Sequence, residues 1–93
     1  MPTFLDFHSI GSFTEDDLKK GQKEPRDELG VQVLNTFYDI ESGMMFCLED
    51  ASDRYAVERH HSKFGMHCEW ITQVKMTAIF CYVLGVNFIG TER

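Results

Sequence analysis

The stretch Met44 to Gly65, MMFCLEDASDRYAVERHHSKFG, joins a strand to a helix and carries most of the side chains able to hold a metal or a proton. By the period-two rule Met45, Cys47 and Glu49 share one strand face, and Phe46 and Leu48 share the other. A thiol and a carboxylate therefore stand together. After the turn Ala51-Ser52-Asp53, a helix capped by Ser52 or Asp53 is predicted to run through Ala56, Val57 and Phe64 and to stop at Gly65. Its last turn holds His60 and His61, about 100° apart around the axis, so the two cannot readily serve one ion together.

Working back towards the start, Pro2 to Ile10 sets Phe4, Asp6 and His8 against Leu5 and Phe7, a first strand with one mixed and one apolar face. Gly11-Ser12 turns the chain, and Thr14 with Asp17 resembles a capping box for a helix from about Glu15. That helix is mostly charged, with Leu18 and Leu29 as its main apolar residues. Gly21 and Pro25 predict that it is short, kinked or broken. Val31 to Ile40, VQVLNTFYDI, reads as a β-branched and aromatic edge strand, and Glu41-Ser42-Gly43 is a hairpin turn into the Met44 strand. His67 to Met76 alternates again and predicts a fourth strand.

The order is β-α-β-β-α-β, the ferredoxin-like α+β pattern with a four-stranded antiparallel sheet in which the first and third strands are central neighbours. Side by side, those strands bring the Asp6/His8 face onto the Cys47/Glu49 face. The apolar pairs Leu5/Phe7 and Phe46/Leu48 are then the natural partners for the helices, and the polar face is left for another subunit to cover.

The chain has 93 residues, which predicts one domain, with residues 77–93 as an extra C-terminal arm. A net charge of −6 argues against nucleic acid as a partner, since a phosphate backbone calls for clustered Lys and Arg. Cys47, Cys68 and Cys81 are an odd number with no CxxC pair, which suggests neither a disulfide framework nor a Cys-only zinc site and fits reduced thiols in the cytoplasm. The opening MPTFLDFHSI has neither the basic nor the continuous apolar segment of a signal peptide. Ala78 to Gly90, AIFCYVLGVNFIG, is well short of the roughly 20 residues that span a bilayer, so it is read as packed against protein, without a membrane partner.

Asp6, His8, Cys47, Glu49 and His60 together offer imidazole, thiolate and carboxylate, a set suited to nickel, zinc or copper rather than calcium or magnesium. Simpler readings stand beside this one. Cys47 is also explicable as an inert buried thiol, His60 and His61 as favourable charges at a helix C-terminus, Glu49 as a solvated strand end, and Asp6 with His8 as a hydrogen-bonded pair. No nucleophile elbow, phosphate-binding glycine loop or HExxH is present, so catalysis is not expected.

Phe4 to His8 (FLDFH), Phe46 to Ala51 (FCLEDA), His60 five residues before Gly65, and Ile71 with Val74 resemble a family of small ferredoxin-like proteins of unknown function that includes a nickel-binding homodimer. The resemblance implies a dimeric α/β barrel and metal binding at Asp6, His8, Cys47, Glu49 and His60. Gln73 and Phe64 depart from it, standing where relatives carry Glu and a second His. The expected function is nickel-type metal sequestration or sensing by a homodimer. The alternative is a dimeric barrel that binds or oxidises a small organic ligand in an apolar cavity.

Overall fold

Two helix ends and one hairpin set the frame. The computed structural model describes residues 1–77, and its elements run β1 (Thr3–Ser9), α1 (Glu15–Gln22), β2 (Gln32–Asp39), β3 (Met44–Asp50), α2 (Arg54–Ser62) and β4 (Trp70–Val74). Thr14 caps α1 through a complete capping box: its hydroxyl accepts from the Asp17 amide at 3.1 Å, and the Asp17 carboxylate accepts from the Thr14 amide at 2.9 Å. The helix ends at Gln22, before Pro25, because the residue preceding a proline is pushed out of the α region. Asp53 caps α2, its Oδ1 accepting from the Ala56 amide at 2.8 Å. That helix stops at Ser62, three residues short of the glycine expected to end it. The His61 carbonyl then accepts from the amides of both Phe64 and Met66, and Gly65 takes a φ of 71°.

The strands form one sheet in the order β2-β3-β1-β4 with every pairing antiparallel, the ferredoxin-like arrangement with β1 and β3 in the centre and β2 at an edge. Gly43, at φ 73°, closes the β2–β3 hairpin by donating its amide to the Asp39 carbonyl at 2.9 Å. A bulge between Val33 and Asn35 re-aims β2 along its length. β4 is shorter than the alternation in His67 to Met76 implies. Residues 66–69 instead form the connection that brings the Glu69 amide to the Phe7 carbonyl at 2.7 Å.

The faces are allocated the other way round from the sequence expectation. The helices cover the face that carries Phe4, Asp6, His8, Met45, Cys47 and Glu49, all of them buried. Leu18 of α1 packs with Met45 and Cys47, while Ala56 and Val57 of α2 pack with Phe4 and Ile71. The physical reason lies in the sheet as a whole. Phe4, Met45 and Ile71 together give the mixed face enough apolar area to meet the sparse apolar stripes of both helices, and the polar groups sit enclosed among them. On the opposite face Phe46 sits opposite both Phe37 and Phe7, and Phe7 also sits opposite Trp70, one aromatic row across all four strands. Phe37 and Trp70 are exposed there.

Among the described residues no helix is long and apolar enough to cross a membrane. The expectations for Ala78 to Gly90, for the C-terminal arm as a packed segment and for Cys81 lie outside the described residues.

Candidate metal centre

Strand register brings the donors together. Asp6 sits directly opposite Cys47, and His8 follows two residues along the same face of β1, so a carboxylate, a thiol and an imidazole converge from two adjacent strands. The fourth group comes from above: α2 crosses this face and lowers His61 onto it. One ligand atom each from Asp6, His8, Cys47 and His61 lies within 4.8 Å of the others, and all four residues are buried. Glu49, two residues beyond Cys47 on β3, flanks the group with Oε2 at 3.2 Å from His61 Nε2.

Both histidines are held in one tautomer. His8 Nδ1–H donates to the Ser9 carbonyl at 2.8 Å, and His61 Nδ1–H donates to the Val57 carbonyl at 2.9 Å. Each Nε2 therefore turns a lone pair inwards, the orientation that metal-binding histidines adopt when a backbone carbonyl takes the other ring proton. His8 Nε2 is 3.6 Å from Cys47 Sγ and 3.6 Å from Asp6 Oδ1. His61 Nε2 is 3.4 Å from Asp6 Oδ2. Lone pairs and carboxylate oxygens face one another, with no Lys or Arg of the described residues among them.

The electrostatics follow from that crowding. Burial, then the nearby Asp6 and Glu49 carboxylates, push the Cys47 thiol far above its ordinary range. Burial, then the adjacent Asp6 carboxyl, pushes the Glu49 carboxyl above its ordinary range. Burial lowers His61, which keeps its imidazole neutral. All four oxygens of Asp6 and Glu49 are buried without a geometrically sound hydrogen bond. A buried polar group left unpaired costs about 1–3 kcal/mol, more when charged, so four in one place are not a comfortable resting arrangement. A divalent cation fits it: the donors are neutral imidazole nitrogen, sulfur and carboxylate oxygen, and an ion would satisfy the orphaned oxygens while displacing the protons from Cys47 and Glu49.

Of the residues expected from the sequence, Asp6, His8, Cys47 and Glu49 are brought together. His60 is not. Its ring lies on the flank of α2, with Nδ1 2.6 Å from Asp27 Oδ2, and His61 takes the inward position. Asp27 also accepts from Lys63 Nζ at 2.9 Å and from the amides of Leu29 and Val31, tying the α1–β2 connection to α2. Burial alone would raise the Asp27 carboxyl, but hydrogen bonds from His60, Lys63 and Val31 outweigh it and hold the group well below its ordinary range. Phe64 lies beyond the helix end, ring to ring with His60 at 5.5 Å, and Gln73 sits opposite Phe4 on β1. A cavity of about 530 Å³ opens beside the centre, with Leu18, Val33, Met45, Cys47, Glu49 and His61 in its wall.

The family described as nickel responsive protein SCO4226-like matches residues 4–74. The chain belongs to that family. A crystal structure of one SCO4226-like protein, SCO4226 from Streptomyces coelicolor A3(2), is similar to this chain at a TM-score of 0.66 and 25% identity, covering 82% of this chain and 99% of the other. No curated protein matches the chain. The SCO4226-like match spans every element from β1 to β4, and so includes all five residues of the buried cluster.

Proposed function

We propose that this protein binds a divalent transition metal, nickel first and zinc or copper next, through Asp6, His8, Cys47 and His61 with Glu49 beside them. The observation that carries this reading is the pair of inward lone pairs on His8 and His61, set among four orphaned carboxylate oxygens. The family's description as nickel responsive supports the order of metals. In this reading His61 takes the place that the resemblance assigned to His60. The role is sequestration or sensing in the cytoplasm: a thiol held so far above its ordinary range is a poor nucleophile until a metal displaces its proton.

The protein acts as a single-domain homodimer of the α/β-barrel type, each copy covering the other's aromatic row of Phe37, Phe46, Phe7 and Trp70. An exposed apolar face of this kind marks an association surface, and a face met by its own copy is self-complementary. The cavity supports a second reading, in which a small organic ligand occupies the space beside the donors. It would be recognised by an aromatic compound retained through purification with no metal bound.

Elemental analysis of untagged protein, followed by calorimetric titration of chelator-stripped protein with nickel, zinc and copper, tests the metal reading. One ion per subunit, lost in His8→Ala, is the expected result. Absence of binding to all three metals would reject the site and favour the cavity ligand.

A further inference from the structure

Glu49 stands apart from the other donors in a way that bears on which metal the centre prefers. Asp6, His8, Cys47 and His61 form a closed group of four ligand atoms, and Glu49 is outside it. Yet Glu49 is wholly buried, both of its oxygens lack a partner, and Oε2 stands 3.2 Å from His61 Nε2. Its side chain also lines the cavity, as do those of Cys47 and His61. The centre thus has four clustered donors, a fifth donor at its edge, and open space beyond.

These positions distinguish two kinds of ion. Zinc has no geometric preference from its d electrons and is satisfied by four ligands of nitrogen, sulfur and oxygen type. Nickel(II) favours square-planar or tetragonal arrangements and gains from ligands beyond a tetrahedral set. The four clustered donors alone would suit zinc. With the fifth carboxylate added and open space beside it, the same residues would suit nickel(II) in a tetragonal set.

Building on the proposed metal centre, we infer that Glu49 is the residue that shifts its selectivity from zinc towards nickel. It does so as a ligand recruited on binding. Both Glu49 oxygens are buried without a partner among the described residues, and Oε2 lies 3.2 Å from His61 Nε2, at the edge of the donor group. Glu49→Gln keeps the shape of the side chain and removes the anionic oxygen, so it separates a metal role from a merely structural one.

The full chain, stripped with chelator, is titrated with nickel and with zinc by calorimetry, and with cobalt(II) by visible absorption as a report of coordination number. In Glu49→Gln, nickel affinity falls at least about tenfold while zinc affinity stays within about threefold. Cobalt absorption rises in the variant, from the weak bands of five- or six-coordination to the intense bands of a four-coordinate ion. Glu49→Leu, with no donor atom at all, shows the same selectivity change and guards against a folding defect peculiar to the amide. Equal losses for both metals, no loss for either, or an unchanged cobalt spectrum would overturn the role of Glu49 while leaving the metal centre standing. Failure of the unmodified protein to bind any of the three ions would overturn the centre and this inference with it.

Discussion

His60 and His61 are neighbours in sequence with opposite surroundings. His61 is sealed against Asp6 and Glu49, and His60 leans on Asp27 at the helix flank. The mutations that separate them are direct. His61→Ala should weaken nickel binding at least about tenfold, and His60→Ala should leave it within about threefold, both by calorimetric titration. The reverse order of effects would move the site to the flank of α2. Asp27 gives a second prediction at this scale. Its carboxyl is held below its ordinary value of 3.8 in the folded chain. The stability it contributes is therefore complete above that value and is lost as pH falls below it. Asp27→Asn should be the less stable protein at neutral pH, and the difference should shrink as pH drops below about 4. Urea unfolding at a series of pH values would measure it, and a gap independent of pH would show that the carboxylate charge is irrelevant.

Among the elements, α2 matters most, because it alone supplies the donor above the sheet. Its start depends on Asp53, whose carboxylate accepts from the Ala56 amide. Asp53→Ala should cost about 1 kcal/mol, the usual loss of an N-cap. For a chain of this size that corresponds to a fall of about 4–8 °C in the thermal midpoint. A metal held as proposed would join the other end of α2 to β1 and β3, so nickel should raise the midpoint of the variant as well as that of the unmodified protein. Calorimetric scans with and without nickel would show whether the helix and the ion are coupled.

At the scale of the whole molecule the two sheet faces divide the work. One face, under the helices, encloses the donors; the other presents Phe37, Phe46, Phe7 and Trp70. Phe7 and Phe46 lie 5.0 Å apart between ring centroids, with Trp70 within 6.2 Å of each and the rings mutually tilted, so the row is a continuous aromatic surface. Under the proposed homodimer, Phe46→Glu should sediment as a monomer where the unmodified chain sediments as a dimer, with the metal stoichiometry per subunit equal in the two. Loss of metal in the monomer would mean that the partner copy completes the centre. Metal binding itself should weaken on acidification, since the thiol and carboxyl ligands must lose protons to bind; because burial lowers His61, its own contribution should be lost only below the ordinary histidine range.

Local chemistry was enough to read the order of elements. Thr14 and Asp53 as caps, Pro25 as a breaker, the turn ending at Gly43 and the alternation in β1 and β3 all act over a few residues, and the sequence shows them directly. The same alternation put Asp6 with His8 and Cys47 with Glu49, since side chains two apart on a strand share a face whatever the rest of the chain does. Two matters needed the tertiary structure. Ala56 precedes His60 by four residues and Val57 precedes His61 by four, so helical periodicity favours neither histidine. The roll of α2 on the sheet turned Val57 and His61 inwards. The sheet face that the helices cover ran against the expectation, because β1 and β3 each have one apolar and one mixed face and strand alternation alone pointed to the apolar one. Apolar side chains brought from distant strands, Phe4, Met45 and Ile71, decided it, and only packing sums such contributions over the whole sheet.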